Sequence, residues 1–368
     1  VDDFHNFVKL AQISAALNMA GGTICEPTEL PVPKRHLDML YALIQLSDKP
    51  FMGSVTSGAR AQDCVDMCGL VFGDEFVRDH TVMTSLINCN SPLVWDTVMI
   101  AVMRVYARHN QACLISPFIM QGANTPTTSA GAMAQLNAEA LAGIAYTQIV
   151  RPGAPVVYGA TLSTVSLQSG APMYGTTETQ VLMFVSSQLA RRYRIPMRTG
   201  GMRNGGKTCD AQAAFESIQT MLPAMLAGGN LFLHSTGWLE SGLSACFAKF
   251  MMDVDQLTIL QRLMGGITVD EDALALEAIR QVGPGGHFFG TEHTLRHYEN
   301  AYFVPETADT HGYDHWRELG GTDMEQRARD LAKQKLQEYK QPSLDPAIDA
   351  RLRAYIAKRK AELPDEIR

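Results

Sequence analysis

Two arginines and one histidine stand where this chain could meet a small polar ligand. Arg198 lies in the strand-like run IPMRT (195–199), and Arg203 in the glycine-rich loop GGMRNGG (200–206) that follows it. A guanidinium is the natural bidentate partner of a carboxylate. An arginine directed into a sheet interior is costly unless paired, so Arg198 is either a ligand clamp or locked to Glu178 or Asp210. The glycines around Met202, Arg203 and Asn204 suit close approach of backbone to a ligand. The loop lacks the spaced glycines of a P-loop, so a phosphate site there is a weak reading. His234 closes the run NLFLH (230–234). At the carboxyl end of a barrel strand it reads as a site residue, against the plainer role of a hydrogen bond to Ser235 or Glu240. Tyr158, Tyr174, Trp238 and Trp95 place large rings near strand ends, where core packing is the competing explanation. That explanation is strongest for Trp95, which sits in a helical pattern. Asn88, Asn90, Ser116 and Gln121 are further polar groups at strand ends. Glu178 opens a helix, where a carboxylate also complements the helix dipole.

His293 and His297 share a helix face, with Glu292 ahead of them rather than between them. This is not the HExxH arrangement, and a solvated or interface helix is the expected role. The seven cysteines, Cys25, Cys64, Cys68, Cys89, Cys113, Cys209 and Cys246, form neither a paired spacing nor a zinc pattern. Most lie in apolar contexts and read as small hydrophobes. No intrinsic metal is expected. The net charge is -7, which argues against nucleic acid as the main partner. No apolar run is long enough to span a bilayer, and the acidic, helix-patterned start VDDFHNFVKLAQ has no signal-peptide character. A cytoplasmic enzyme without membrane or nucleic-acid partners is expected.

These residues must be positioned by an alternating pattern. Strand-like runs lie at 23–26, 51–56, 81–88, 112–116, 155–161, 195–199 and 230–235, with amphipathic helices between them, notably 91–108, 129–149 and 176–192. Alternating βα units imply a parallel sheet with helical crossovers. Nearly every run ends in small polar residues (SVTSGA, INCNSP, ISPFIMQG, GATLSTV, RTGGMRNGG, HSTGWLESG), as the carboxyl face of a (β/α)8 barrel requires. The chain opens on a helix, so the expectation is a TIM-type (β/α)8 barrel over 1–244 whose first strand lies before Val1. Residues 245–368 read as a helical part closing the barrel. Its charged stretch at 322–361 reads as a solvated helical pair or an oligomer arm, and a homo-oligomer is expected.

The segments GGMRNGGKTCDAQAAFES (200–217), GGNLFLHSTGWLESGLSACFAKFMMDVD (228–255) and VGPGGHFFGTEHTLRHYENAYFVPE (282–306) resemble, in order and spacing, the trimethylamine methyltransferase superfamily. The resemblance covers nearly the whole chain. It implies a barrel that demethylates a methylated amine and passes the methyl to the Co(I) corrinoid of a separate carrier protein. Founding members carry pyrrolysine; this chain has only standard residues, which favours the branch acting on glycine betaine and similar quaternary amines. A quaternary nitrogen has no proton or lone pair, so the implied site must orient the methyl group and exclude water. On that reading Tyr158, Tyr174 and Trp238 are cage candidates, each well-placed ring contributing about 0.5–2 kcal/mol. Arg198 or Arg203 would hold a betaine carboxylate, Arg198 being favoured. His234 and Glu178 are the catalytic candidates, and Asn88 a rim donor. Direct transfer to tetrahydrofolate and a non-catalytic amine-binding barrel are the alternatives. With no DxHxxG cobalamin-binding motif in the chain, any corrinoid must come from a partner.

Overall fold

The computed structural model describes residues 1–21 and 25–365. Among the described residues ten strands occur: β1 (Thr84–Ile87), β2 (Ala112–Ile115), β3 (Phe118–Gln121), β4 (Val156–Gly159), β5 (Thr161–Val165), β6 (Pro172–Met173), β7 (Met197–Thr199), β8 (Leu231–Phe232), β9 (Trp238–Leu239) and β10 (Ser244–Ala245). The main sheet is parallel, in the order β1-β2-β4-β7-β8. It continues past β1 through single parallel bridges, Met52 to Thr84 and Gly21 to Phe51. The result is an α/β fold with a curled parallel sheet whose strand order follows chain order, as the alternating pattern predicted. The run expected at 23–26 lies partly outside the described residues. A cavity of about 390 Å³ occupies the seam between Leu231–Leu233 on one edge and Gly21, Met52 and Gly53 on the other.

Local signals place the crossover helices. Thr97–Arg108 starts six residues later than the apolar periodicity suggested, because the Asp96 carboxylate accepts from Met99 N at 2.7 Å and caps it there. Ser129–Val150 follows the expected pattern, with Thr128 as its cap residue. Thr177–Tyr193 starts after Thr176 and ends at Arg194 in the left-handed region (φ 57). Ala211–Leu226 starts after Asp210, whose carboxylate accepts from Ala213 N at 3.0 Å. Apolar faces of these helices close one large core with Met103, Tyr106, Cys113, Ile115, Leu136 and Met197.

Two features were not anticipated. Past the main sheet the chain forms a second, three-stranded sheet, β3-β5-β6. It was hidden within the polar strand ends ISPFIMQG and GATLSTV. The charged tail also does not project as an arm. The helix Met324–Glu338 buries Ala328 and Ala332 in a cluster with Phe7, Leu10 and Phe250. The helix Pro346–Glu362 buries Leu352 and Ile356 in the main core. There Arg359 Nε donates to buried Asp63 at 2.7 Å, and Asp63 also meets His36 Nε2 at 2.9 Å. Only two buried apolar residues, four positions apart, mark each helix, a stripe too narrow to outweigh the charge count in the sequence. No helix among the described residues is long and apolar enough to cross a membrane.

Candidate active site

β4, β7 and β8 lie side by side, with Arg198 level with Gly159 and Leu231. Arg198 is fully buried. Its Nη1 donates to Ser116 Oγ at 2.9 Å, to the Ala160 carbonyl at 3.3 Å and to Thr161 Oγ1. Gly159 permits this approach: a Cβ there would stand 2.5 Å from Ser116 Cβ. The Arg198 Nη2 lies 3.0 Å from His234 Nδ1. A guanidinium can only donate, so Nδ1 accepts and the imidazole proton sits on Nε2. Burial, reinforced by the charges of Arg203 and Arg198, pushes the His234 pKa well below its usual value. His234 is therefore a neutral imidazole, oriented by Arg198 and able to donate through Nε2. Its backbone is in the left-handed region (φ 58), which turns the chain sharply at the end of β8.

Arg203 comes from the glycine-rich loop after β7. Its guanidinium stacks over Tyr174, 4.6 Å from the ring centroid, and lies 5.7 Å from that of Phe118. Arg203 Nη2 donates to Tyr174 Oη at 2.8 Å, while Nη1 is shielded and has no partner among the described residues. Tyr174 follows β6 and Phe118 opens β3, so the second sheet exists on the site side to hold this arginine. A cavity of about 120 Å³ is lined by Arg203, His234, Trp238, Ser241 and Gly242. The Trp238 ring stands edge-on to His234, with centroids 5.3 Å apart and planes at 71°. No carboxylate forms a hydrogen bond or ion pair with Arg198 or Arg203 among the described residues. Burial pushes the Arg198 pKa down to about 9, still protonated at neutral pH.

The glycine-rich loop is laced to the segment carrying Trp238. Asn204 Nδ2 donates to the Trp238 carbonyl at 2.8 Å, Glu240 N to the Gly206 carbonyl at 2.7 Å and Ser241 N to the Asn204 carbonyl at 2.8 Å. Gly201 is required by proximity: a Cβ would meet Leu233 O at 2.4 Å and the His234 carbonyl at 2.6 Å. Beneath this layer, Lys249 and Asp253 form a buried ion pair. Lys249 Nζ donates to Ser217 Oγ at 3.0 Å, and Asp253 Oδ2 accepts from Gly237 N at 2.9 Å. Burial raises the Asp253 pKa, opposed by Lys249.

Of the residues singled out in the sequence, the structure gathers Arg198, Arg203, His234, Tyr174 and Trp238. Three others lie elsewhere. Glu178 is exposed on the first turn of its helix, where it serves the dipole and not His234. Tyr158 is fully buried against the helix layer, its hydroxyl donating to Asn137 Oδ1 at 3.1 Å, so it is a core residue. Asn88 is exposed just past β1. Arg198 locks to neither Glu178 nor Asp210, and Trp95 packs against the main core. Ser116 acquires a role as a partner of Arg198. Phe118, Thr161 and Ser241 escaped sequence reasoning, since only the second sheet and the loop lacing bring them to the site.

Residues 1–364 match the family model of trimethylamine methyltransferase. The chain belongs to the trimethylamine methyltransferase family. It is 40% identical over 367 residues to the glycine betaine methyltransferase of Desulfitobacterium hafniense (strain Y51), covering 100% of this chain and 76% of that protein. It is 28% identical over 285 residues to the trimethylamine methyltransferase MttB of Methanosarcina barkeri, covering 77% of this chain and 57% of that one. The chain thus spans a little over half the length of that relative. A crystal structure of the hydroxylamine complex of MtmB shares the fold, with a TM-score of 0.52 at 12% identity over 93% of this chain and 70% of that one. In this family member the strand ends frame a pocket lined by the Arg203 guanidinium, a neutral imidazole and an indole, with Arg198 buried behind the imidazole.

Proposed function

We propose that this methyltransferase removes a methyl group from a carboxylated quaternary or tertiary amine of the glycine betaine type. The observation that carries this reading is a buried, unpartnered Arg203 Nη1 on a residue that lines a cavity together with His234 and Trp238. A buried donor without a partner costs about 1–3 kcal/mol, more when charged, and a ligand carboxylate relieves that cost. The clamp role passes from Arg198 to Arg203, because both terminal nitrogens of Arg198 are engaged by Ser116, Ala160, Thr161 and His234, leaving only its Nε unpartnered, and Arg203 rather than Arg198 lines the cavity. Arg198 acts instead as a positioning residue, holding His234 so that Nε2–H meets the ligand. Trp238 supplies ring surface for the cationic end, while Tyr174, stacked with Arg203, holds the clamp.

The acceptor in this reading is the Co(I) corrinoid of a separate carrier protein, which supplies the nucleophile when it docks. The cavity residues offer no anionic or thiolate set that would hold a metal, so they fit an acceptor brought from outside. The chain's own work is to bind the carboxylate, present one methyl outward and keep water from the attacked carbon. No group in the cavity needs to exchange a proton during transfer, in keeping with a neutral His234. We further read the curled sheet as most of a (β/α)8 barrel acting in the cytoplasm.

The test is methyl transfer from a panel of amines to free cob(I)alamin, to a corrinoid carrier protein and to tetrahydrofolate, read by mass spectrometry. Transfer from glycine betaine to cobalt is expected. Transfer to tetrahydrofolate alone would replace the acceptor, and binding without transfer to any acceptor would overturn the enzymatic reading.

A further inference from the structure

The helix Glu292–His297 carries two histidines that the active site does not use. It lies in the segment 266–321, between the long helix Phe247–Gly265 and the helix Met324–Glu338. This segment folds with almost no core. Ala278, Thr291 and Thr307 are buried, but Ile267, Phe289 and Tyr302 are each more than 80% exposed (89%, 85% and 83%). Short segments that cannot bury an apolar core commonly rely on a metal or another cross-link for their order.

A suitable ligand set is present. His293 and His297, one helical turn apart, both turn Nε2 toward Asp272 on the helix Glu271–Leu274. His297 Nε2 lies 2.7 Å from Asp272 Oδ2, and His293 Nε2 lies 2.9 Å from the Asp272 carbonyl oxygen. One donor atom of each of the three side chains lies within 4.8 Å of the other two. Arg296 Nη2 donates to the other carboxylate oxygen, Oδ1, at 2.7 Å. That contact orients the carboxylate and leaves Oδ2 on the histidine side, as outer-shell partners do at metal sites.

We propose that Asp272, His293 and His297 form a site for a divalent transition cation, with zinc as the best match. Two imidazole nitrogens and one carboxylate oxygen suit zinc's preference for tetrahedral N and O ligands, with water in the fourth position. With bonds of about 2.0–2.2 Å in a tetrahedral site, neighbouring donor atoms stand farther apart than the 2.7 Å between His297 Nε2 and Asp272 Oδ2, so these two part slightly while His293 turns from the Asp272 carbonyl toward them. This is a shift that exposed side chains on two short helices can make. The ion would fasten the helix Glu271–Leu274 to Glu292–His297 and order the segment from within. The site departs from the expectation of no intrinsic metal, since Asp272 stands 21 residues before His293 and was not linked to the histidines by any spacing rule. It is separate from methyl transfer and independent of the function proposed above.

The test uses the full chain, stripped of metal with a chelator and titrated with zinc in competition with a chromophoric indicator. One equivalent should bind, and His293→Ala and His297→Ala should each weaken binding at least about 100-fold. Asp272→Asn should weaken it less. Circular dichroism checks that each variant remains folded. Zinc should slow limited proteolysis within 266–321 in the parent chain and leave His293→Ala unchanged. Failure of the parent to retain zinc at micromolar concentration would overturn the proposal. So would equally tight binding by the double variant His293→Ala/His297→Ala.

Discussion

Replacing Arg203 with Met keeps most of the side-chain volume and removes the charge. Arg203 Nη2 is committed to Tyr174 Oη at 2.8 Å, and Nη1 is the nitrogen left without a partner. The ligand carboxylate therefore gains one charge-assisted bond from this arginine, not a two-pronged pair. Hydrogen bonds to charged groups contribute about 1.5–3 kcal/mol, and a single prong belongs at the lower end. A loss of about 1.5–2 kcal/mol corresponds to about 10–30-fold in Kd. Calorimetry with glycine betaine and with choline separates this effect from a general collapse of the pocket. Glycine betaine should bind about 10–30-fold more weakly to the variant. Choline, which has no carboxylate, should bind as well or better once a neighbouring positive charge is gone. Tyr174→Phe, which removes only the hydroxyl, should change betaine affinity less than Arg203→Met does. Equal weakening for betaine and choline would mean that Arg203 supports the second sheet and does not touch the ligand, and the clamp would be refuted.

Arg198→Met should weaken betaine and choline binding alike and lower Tm, because it leaves Ser116, Thr161 and His234 without their donor; a betaine-selective loss in calorimetry would restore Arg198 as the clamp. His234→Asn keeps an acceptor for Arg198 but loses the Nε2 donor, so kcat should fall more than Kd rises, as single-turnover and binding measurements can show. The depressed His234 pKa means the unfolded chain takes up this proton first as pH falls. Stability should therefore decline from about pH 6.5 downward to the folded-state pKa, with no contribution above that window; urea unfolding of the parent and His234→Asn across pH 5–8 should show a smaller acid loss in the variant. Lys249→Met should cost about 3–5 kcal/mol by stranding the Asp253 carboxylate, with Lys249→Met/Asp253→Leu recovering part of it in denaturant titration.

How much of this was legible in the residues differs by level. The parallel sheet was readable because each strand is short, apolar and followed by a helical period, a repeating local pattern. Arg203, His234 and Trp238 could be singled out because each stands in a polar, glycine-marked strand end, and the structure brings them to one cavity. The choice between Arg198 and Arg203 was not readable. It depends on Ser116 and Thr161, which are 82 and 37 residues from Arg198 in the chain, and on the absence of either acid that local reasoning offered it. Tyr158 was misassigned for a related reason. In a strand, neighbouring side chains alternate between faces, and only the register set by β2 and β7 shows that this one faces the helices. Glu178 looked catalytic by type, but a first-turn carboxylate has a sufficient local purpose.

The sign of the pocket's charge carries the specificity argument further than any single contact. Two arginines flank a neutral histidine, with no carboxylate among the described residues paired to either. At an effective dielectric constant of about 20, a unit charge about 6 Å away contributes about 3 kcal/mol. A simple tetraalkylammonium ion would bear that cost as repulsion, which one or two ring faces at about 0.5–2 kcal/mol each barely offset. A zwitterion reverses the sign. In the proposed binding mode its carboxylate would meet Arg203 and the His234 Nε2–H, and its ammonium end would lie farther off against Trp238. Selection of betaine-like molecules over bare methylated ammonium ions then follows from charge alone, before any steric fit. Raising ionic strength should leave this discrimination largely intact, because the charges are buried and poorly screened. Measured Kd ratios of glycine betaine to tetramethylammonium at low salt and at about 0.5 M salt should differ less than twofold. A ratio that collapses toward one at high salt would place the discriminating charges on the surface and remove Arg198 and Arg203 from the account.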